Sequence, residues 1–272
     1  MLTGKKVIIF DLDGTLIDSV GVWNQVDEEL IRQIRSADAP QPENVQQQRD
    51  EALRRFSKAE NPYVEYCAFL KETYGAVQSP EEIHTLRYEI AQDFLRNVID
   101  YKPDADTFLW WLKELGYTLT IATTTKRSNV ETYRTRNRNM MKKAKIDDFF
   151  TLIYTREDAK EIKPNPEIYL RVMEELGVTA EECLVFEDSL IGIEAAKRAG
   201  MESVAVYDCY SDGEREQINA LADYRMILYA VVLIIVMLCT WSPKVKDQIA
   251  VMNDALGRRI RKLLKKEAGT NE

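Results

Sequence analysis

The sequence predicts an α/β protein with a Rossmann-like, doubly wound parallel sheet, an inserted all-helical domain and a hydrophobic and basic C-terminal tail. Short apolar runs alternate with helical segments, which is typical of such a sheet. Residues 18–96 interrupt this alternation, because they carry helical patterns but no strand pattern. We therefore expect a core made of residues 1–17 and 97–225, a helical cap at 18–96 and a tail at 226–272.

The predicted strands are short and rich in β-branched residues, as in a sheet that is covered on both faces. They are 7–10 (VIIF), 117–122 (YTLTIA), 150–154 (FTLIY), 183–186 (CLVF) and 203–206 (SVAV). Helices are predicted at 104–115, 166–176 and 189–199, and each is followed by a glycine, a common residue at a helix C-terminus. In sheets of this kind, ligands bind beyond the carboxyl ends of the strands.

The inserted segment contains two clear helical patterns. One apolar face comprises Trp23, Val26, Leu30, Ile31 and Ile34. SPEE at 79–82 is a capping box with proline at the first helical position, and the helix continues through Ile83, Leu86, Ile90 and Phe94. Between these helices, residues 40–48 (PQPENVQQQ) are predicted to form a polar loop. An insertion at this end of a sheet is placed to act as a lid.

Composition excludes several classes of function. The net charge of the 272 residues is −8, which argues against a nucleic-acid partner. Four scattered cysteines and a single histidine, His84, exclude a Cys/His zinc cluster. The N-terminal apolar run is four residues long, too short for a signal peptide, so a cytoplasmic catalytic domain is expected.

The chemistry is concentrated at the ends of the predicted strands. Asp11 and Asp13 follow the first strand, where one carboxylate can attack phosphorus and the other can transfer protons. Two acids beside a phosphate dianion require positive charge. Lys163 provides a cation, and Asp188 can complete an oxygen-ligand Mg²⁺ site with Asp11. Threonines 123–125 offer hydroxyl and backbone N–H donors.

Four segments, in order, resemble the motifs of the haloacid dehalogenase superfamily of phosphohydrolases. They are DLDGT at 11–15, the threonines at the end of YTLTIATTT, KPNP at 163–166 and EDS at 187–189. The position of the helical insertion is similar to that of the β-phosphoglucomutase-like subgroup. The resemblance covers roughly residues 4–225, and it includes ADYR at 222–225 as a last strand.

The resemblance implies a role for each matching residue. Asp11 would be the nucleophile and a Mg²⁺ ligand, and Asp13 the general acid and base, with a backbone carbonyl that also binds the metal. Asp188 would be the further metal ligand and Glu187 an acid that supports this site. Thr123 and Lys163 would bind the phosphate, and Thr124 would contact the substrate.

The expected function is Mg²⁺-dependent hydrolysis of a small phosphomonoester, such as a sugar phosphate. Trp23 stands where hexose-phosphate phosphatases of this group also have tryptophan, whereas phosphoglucomutase-type members have histidine there. Trp23 could bind substrate or simply pack in the cap. The alternatives are a phosphomutase, a phosphonate hydrolase that uses Lys58 or Lys71 from the cap, and a membrane-tethered module without catalysis.

The tail departs from the resemblance. Residues 226–241 are an uncharged segment of 16 residues, and 244–266 are rich in lysine and arginine. As a helix the uncharged segment would span about 24 Å, less than the roughly 30 Å of bilayer hydrocarbon. Membrane contact through 226–266, burial in protein, self-association and a fused or frame-displaced segment all remain open. The sequence leaves the oligomeric state undetermined.

Overall fold

The computed structural model of the chain describes residues 1–56, 59–227 and 229. Within this part of the chain, six parallel strands form one sheet in the order β3-β2-β1-β4-β5-β6. The strands are β1 (Val7–Phe10), β2 (Thr118–Ala122), β3 (Phe150–Tyr154), β4 (Cys183–Glu187), β5 (Glu202–Val206) and β6 (Tyr224–Met226). The predicted doubly wound sheet is therefore confirmed, and the strand limits agree with the predicted ones or differ by at most two residues.

Helices cover both faces of this sheet and fill the insertion after β1. They are α1 (Val22–Ile34), α2 (Val45–Arg55), α3 (Pro62–Tyr74), α4 (Pro80–Asn97), α5 (Ala105–Glu114), α6 (Arg127–Thr135), α7 (Arg138–Lys143), α8 (Ile146–Phe149), α9 (Glu167–Leu176), α10 (Leu190–Arg198) and α11 (Arg215–Leu221). The three short helices α6–α8 between β2 and β3 were not predicted from the sequence.

The central strand β1 is buried on both faces, which explains its unbroken apolar sequence. Val7 and Ile9 pack in a cluster that includes Tyr169 of α9. Phe10 points into the other half of the core, where its ring stacks on Phe186 at 4.8 Å between centroids. Alternate residues of one four-residue strand thus contribute to both layers of the core.

The order of the strands creates a crevice beside β1. From β1 the chain adds β2 and β3 on one side and then crosses to β4 on the other. Phe10 of β1 is in register with Ile121 of β2 and Phe186 of β4. The residues that follow these three strands consequently lie next to one another at the point where ligands bind in doubly wound sheets.

The prediction of a polar loop over 40–48 is wrong in its second half, because α2 begins at Val45. The first turn of α2, VQQQ, consists mostly of glutamine, which is polar but a good helix former. Val45 and Ala52 are buried and hold the helix against the rest of the cap. An exposed helical face rich in glutamine has the same composition as a polar loop, and for this reason the composition predicts a loop where the structure has a helix.

We propose that α1–α4 form the cap, in which α4 extends one residue past the expected limit at 96. The interior of the cap contains an ion-pair network, which the apolar patterns in the sequence did not reveal. Asp27 of α1 is completely buried, and it binds Arg87 of α4 at 2.6 Å and Arg49 of α2 at 3.0 Å. One carboxylate thereby joins three helices.

The tail predictions concern residues that lie almost entirely outside the described part. Of the predicted apolar segment, only 226, 227 and 229 are described, and the basic stretch 244–266 is not. Among the residues that the structure does describe, no helix is both long enough and apolar enough to cross a membrane.

Replacing Arg87 by methionine should destabilise the protein by about 3 kcal/mol or more, because Asp27 stays buried after losing its closer cation. Chemical denaturation measures this change. Adding Asp27→Asn to Arg87→Met should restore part of the loss. Arg32→Met is the matched control, since Arg32 is an exposed arginine that pairs with Glu29 on α1, and it should change stability little. Equal effects of the two single substitutions would contradict the buried network.

Candidate active site

The first two acids directly follow β1. The Asp11 amide donates to the Phe186 carbonyl at 3.0 Å, which continues the sheet ladder for one more residue and fixes Asp11 beside β4. Gly14 then turns the chain with φ +81, a conformation that side chains rarely adopt. A Cβ at Gly14 would lie 2.7 Å from the Asp188 carboxyl carbon. This glycine therefore allows the loop after β1 to approach the loop after β4.

Lys163 is buried at the centre of the site. Its ammonium group donates to Asp11 at 2.6 Å, to Glu187 at 2.5 Å and to the Ala122 carbonyl at 2.8 Å. Asp11 directly follows β1, Glu187 is the last residue of β4, and Ala122 is the last residue of β2. Burial alone would lower the pKa of Lys163, but Asp11 and Glu187 outweigh burial and raise it well above its ordinary value. The two carboxylates thus stabilise the protonated form of this lysine.

Glu187 is occupied by donors from the protein. Besides Lys163, its first carboxylate oxygen accepts from Tyr169 at 3.2 Å. Its second oxygen accepts from the backbone N–H of Asp188 at 3.1 Å and from the Ser189 hydroxyl at 3.0 Å. This carboxylate therefore shapes the turn after β4 and holds Lys163 in place.

The Asp188 carboxylate lies close to that of Asp11, with an oxygen of each within 4.8 Å of the other. It is 5% exposed and accepts a hydrogen bond from Thr15 at 2.7 Å. Burial, together with the charges of Glu187 and Asp11, raises the pKa of Asp188 well above its ordinary value. Burial also raises the pKa of Asp11 to about 7, since Lys163 offsets only part of the cost. The positive charge beside Asp11 and Asp188 is therefore too small to offset the cost of burying both carboxylates in their ionised forms.

Asp13 is held by hydroxyl groups that the sequence prediction did not assign to the site. Ser19 donates to one carboxylate oxygen at 2.5 Å, and Tyr133 of α6 donates to the same oxygen at 3.4 Å. Thr125 donates to the other oxygen. Thr125 belongs to the quoted threonine motif and Ser19 lies four residues after the DLDGT motif, so both could have been singled out, whereas Tyr133 carries no recognisable signal in the sequence.

The two threonines assigned to the site differ in exposure. Thr123 is completely buried, its hydroxyl lies 2.9 Å from that of Thr125, and it also accepts from the Thr125 amide. Thr124 is half-buried. The threonine loop after β2 is consequently linked to Asp13 through Thr125.

Trp23 lies in the cap, on the first turn of α1. It is half-buried, and its ring centre is 5.7 Å from the guanidinium carbon of Arg87. This contact is consistent with packing inside the cap. A contact between Trp23 and the substrate stays a prediction.

The acids can supply ligands for a divalent cation. One oxygen from each of Asp11, Glu187 and Asp188 lies within 4.8 Å of the others, and all three residues are buried. Three buried carboxylates beside one lysine leave an excess of negative charge, and oxygen is the ligand that Mg²⁺ prefers. The donor set therefore fits Mg²⁺. Because Glu187 already accepts several hydrogen bonds, Asp11 and Asp188 are the better candidates for ligands.

Comparisons with known proteins identify the family of the chain. The model of the haloacid dehalogenase-like hydrolase family matches residues 8–206. YhcW of Bacillus subtilis strain 168 is 32% identical over 203 residues, which are 74% of this chain and 83% of that protein. A phosphorylated carbohydrates phosphatase of Thermotoga maritima is 29% identical over 211 residues, 77% of this chain and 88% of that protein.

A solved structure shows the same fold. It is a Thermotoga maritima protein assigned as a β-phosphoglucomutase, with a TM-score of 0.65 and 24% identity, and the match covers 85% of this chain and 98% of that one.

Lys163→Met should destabilise the protein in EDTA by about 3 kcal/mol or more, because Asp11 and Glu187 lose the buried cation that they share. Urea unfolding measures the difference. The matched control is Lys160→Met, which removes an exposed lysine from the same loop and should leave the unfolding midpoint nearly unchanged. If both variants unfold at the wild-type midpoint, Lys163 is not the group that neutralises these acids.

Proposed function

The chain belongs to the haloacid dehalogenase-like hydrolases, and we propose that it is a Mg²⁺-dependent phosphatase that hydrolyses a small phosphomonoester through an aspartyl phosphate on Asp11. The observation that carries this proposal is the pairing of Asp11 with buried Lys163, beside an Asp13 carboxylate fixed by three hydroxyl groups. This arrangement supports a role for Asp11 as the nucleophile and for Asp13 as the group that transfers protons.

In the first step, a carboxylate oxygen of Asp11 forms a bond to phosphorus, and the bond between phosphorus and the ester oxygen breaks. Asp13, in its protonated form, gives its proton to the departing oxygen, so that an alcohol leaves. Lys163, which donates to Asp11 at 2.6 Å, stabilises the negative charge that Asp11 shares with the phosphoryl group.

In the second step, Asp13 accepts a proton from water, and the water oxygen attacks phosphorus. The bond between phosphorus and Asp11 breaks, inorganic phosphate leaves and the Asp11 carboxylate is restored. Ser19, Thr125 and Tyr133 restrict the rotation of the Asp13 side chain, which favours the same group acting in both steps.

Mg²⁺ would be held by Asp11, Asp188 and the backbone carbonyl of Asp13, and when bound it supplies the positive charge that brings the phosphate dianion to these acids. Thr123 and Thr124 are proposed to bind phosphate oxygens from the loop after β2. Glu187 is proposed to act on the reaction only through Lys163, since its oxygens are already occupied by donors.

A small phosphorylated sugar is the proposed substrate class. A relative that is 29% identical is a phosphatase of phosphorylated carbohydrates, which supports this choice. Trp23 is proposed to contact the substrate from the cap. The phosphonate alternative gains no support from Lys71, whose ammonium group donates to the Gln78 carbonyl at 2.6 Å within the cap. Lys58 lies outside the described residues.

Mg²⁺ at about 100 times its dissociation constant should stabilise the folded protein by about 2.7 kcal/mol, because it binds an acidic cluster present only in the folded state. Thermal unfolding and calorimetric titration measure this effect without any substrate. Asp188→Asn should remove most of it, whereas Asp148→Asn, at an exposed position of α8, should retain it. Equal stabilisation of both variants would show that Mg²⁺ binds elsewhere.

The function is tested by phosphate release from a panel of phosphomonoesters, with Mg²⁺ and with EDTA. Release should require Mg²⁺, and Asp11→Asn should abolish it. Asp13→Asn should lower kcat by roughly 10²-fold to 10⁴-fold, the range typical for loss of a general acid. Asp18→Asn, which changes an exposed acid in the same segment, should keep the wild-type rate.

The ester with the highest kcat/KM identifies the substrate class. If folded protein that binds Mg²⁺ releases phosphate from none of the esters, the phosphatase proposal is wrong.

A further inference from the structure

Gly21, immediately before α1, is in unusually close contact with a side chain of the core. Its φ is −72, an ordinary value for any residue, so its backbone conformation does not require glycine. The space around it does require glycine: a Cβ at this position would lie 2.6 Å from Cζ of Tyr210, and the three atoms nearest to it are the hydroxyl oxygen and two ring carbons at the end of that side chain. The Tyr210 ring thus packs directly against the backbone at the start of the cap.

The backbone of Tyr210 is fixed to the core. It lies in a 3₁₀ helix (Cys209–Glu214) after β5, and its amide donates to the Asp208 side chain at 2.9 Å. Asp208 is buried and binds Lys102 at 2.7 Å, and the Lys102 amide donates in turn to the Leu16 carbonyl. The ring is therefore held from a short, anchored segment rather than from a free loop.

On the cap side, Gly21 belongs to a tight turn that carries a residue of the site. The Val22 amide donates to the Ser19 carbonyl at 3.1 Å, so the turn runs from Ser19 to Val22 with Gly21 inside it. The Ser19 hydroxyl donates to Asp13 at 2.5 Å. Displacing Gly21 would consequently move the donor that holds Asp13.

On the cap side, the Tyr210 hydroxyl lies near the side chain of Asn24, on the first turn of α1. Asn24 accepts from Arg49 at 3.0 Å, and Arg49 binds the buried Asp27. The Tyr210 hydroxyl therefore lies beside a residue that belongs to the polar network joining the cap helices.

We propose that Tyr210 is a positioning residue, which sets the location of the Ser19–Val22 turn and thereby the orientation of Asp13. Tyr210 is 45% exposed, so its burial contributes little to stability, whereas its contact with Gly21 leaves no clearance. The kinetic consequence rests on the proposed phosphatase function; the structural consequence does not.

The test is a double-mutant cycle in the full chain with Gly21→Ala, Tyr210→Ala and the combined variant. Gly21→Ala alone should lower kcat by about tenfold to 100-fold, because the new methyl group pushes the turn away from the ring. In the Tyr210→Ala background the same change should alter kcat by no more than about threefold, since the obstructing ring is absent. Tyr207→Ala removes a ring of the same loop that packs on Arg215, and it should leave kcat near the wild-type value.

A second measurement is independent of activity. Hydrogen exchange followed by mass spectrometry reports on the amides of Val22, Asn24 and Gln25, which donate within the turn and the first turn of α1. Tyr210→Ala should accelerate their exchange, whereas Tyr207→Ala and Asp11→Asn should not. This measurement remains informative if the protein hydrolyses no ester.

Two results would overturn the proposal. The first is the same loss of kcat from Gly21→Ala in both backgrounds, which would mean that Gly21 is needed for a reason unrelated to Tyr210. The second is unchanged exchange of the turn amides in Tyr210→Ala, which would mean that the ring does not hold the turn. Failure of phosphate release with faster exchange would instead reject the enzymatic function and keep the role of Tyr210.

Discussion

The buried ammonium group of Lys163 is the interaction on which the rest of the site depends. It joins the residue after β1, the last residue of β4 and the last carbonyl of β2, so three strand ends are held at fixed distances by one cation. Without it, two carboxylates would be buried side by side, an arrangement that costs several kcal/mol. The geometry of the acids and the stability of the core are thus two effects of the same contact.

Much of the core architecture was predictable from the sequence, because apolar runs with β-branched residues, glycine helix ends and acids at strand ends are all local signals. The family, the parallel sheet and the hydrolase class are confirmed. The segment 40–48 was misjudged because a solvent-exposed helix has the composition of a loop. The placement of Asp11, Lys163 and Asp188 near one another followed from topology, since parallel strands end at the same edge of a sheet. Their catalytic roles stay predictions.

Other features could not have been predicted, because they depend on tertiary contacts between distant residues. Tyr133 reaches Asp13 across 120 positions of sequence, and nothing in its surroundings distinguishes it from a core tyrosine. Asp27 lies on an otherwise apolar face of α1, and its burial is explained only by its ion pairs with Arg49 and Arg87. Gly21 has an ordinary conformation, so its need for space against Tyr210 is visible only in three dimensions.

The central position of β1 has a consequence for biosynthesis. Its partners are β2 and β4, which begin at residues 118 and 183, so the first strand leaves the ribosome long before either neighbour exists. Until then it is an unpaired apolar segment, a state exposed to aggregation or to capture by chaperones. The bond between Lys163 and Asp11 closes a separation of 152 residues. A nascent chain therefore acquires its complete acidic cluster only after most of the protein has been synthesised.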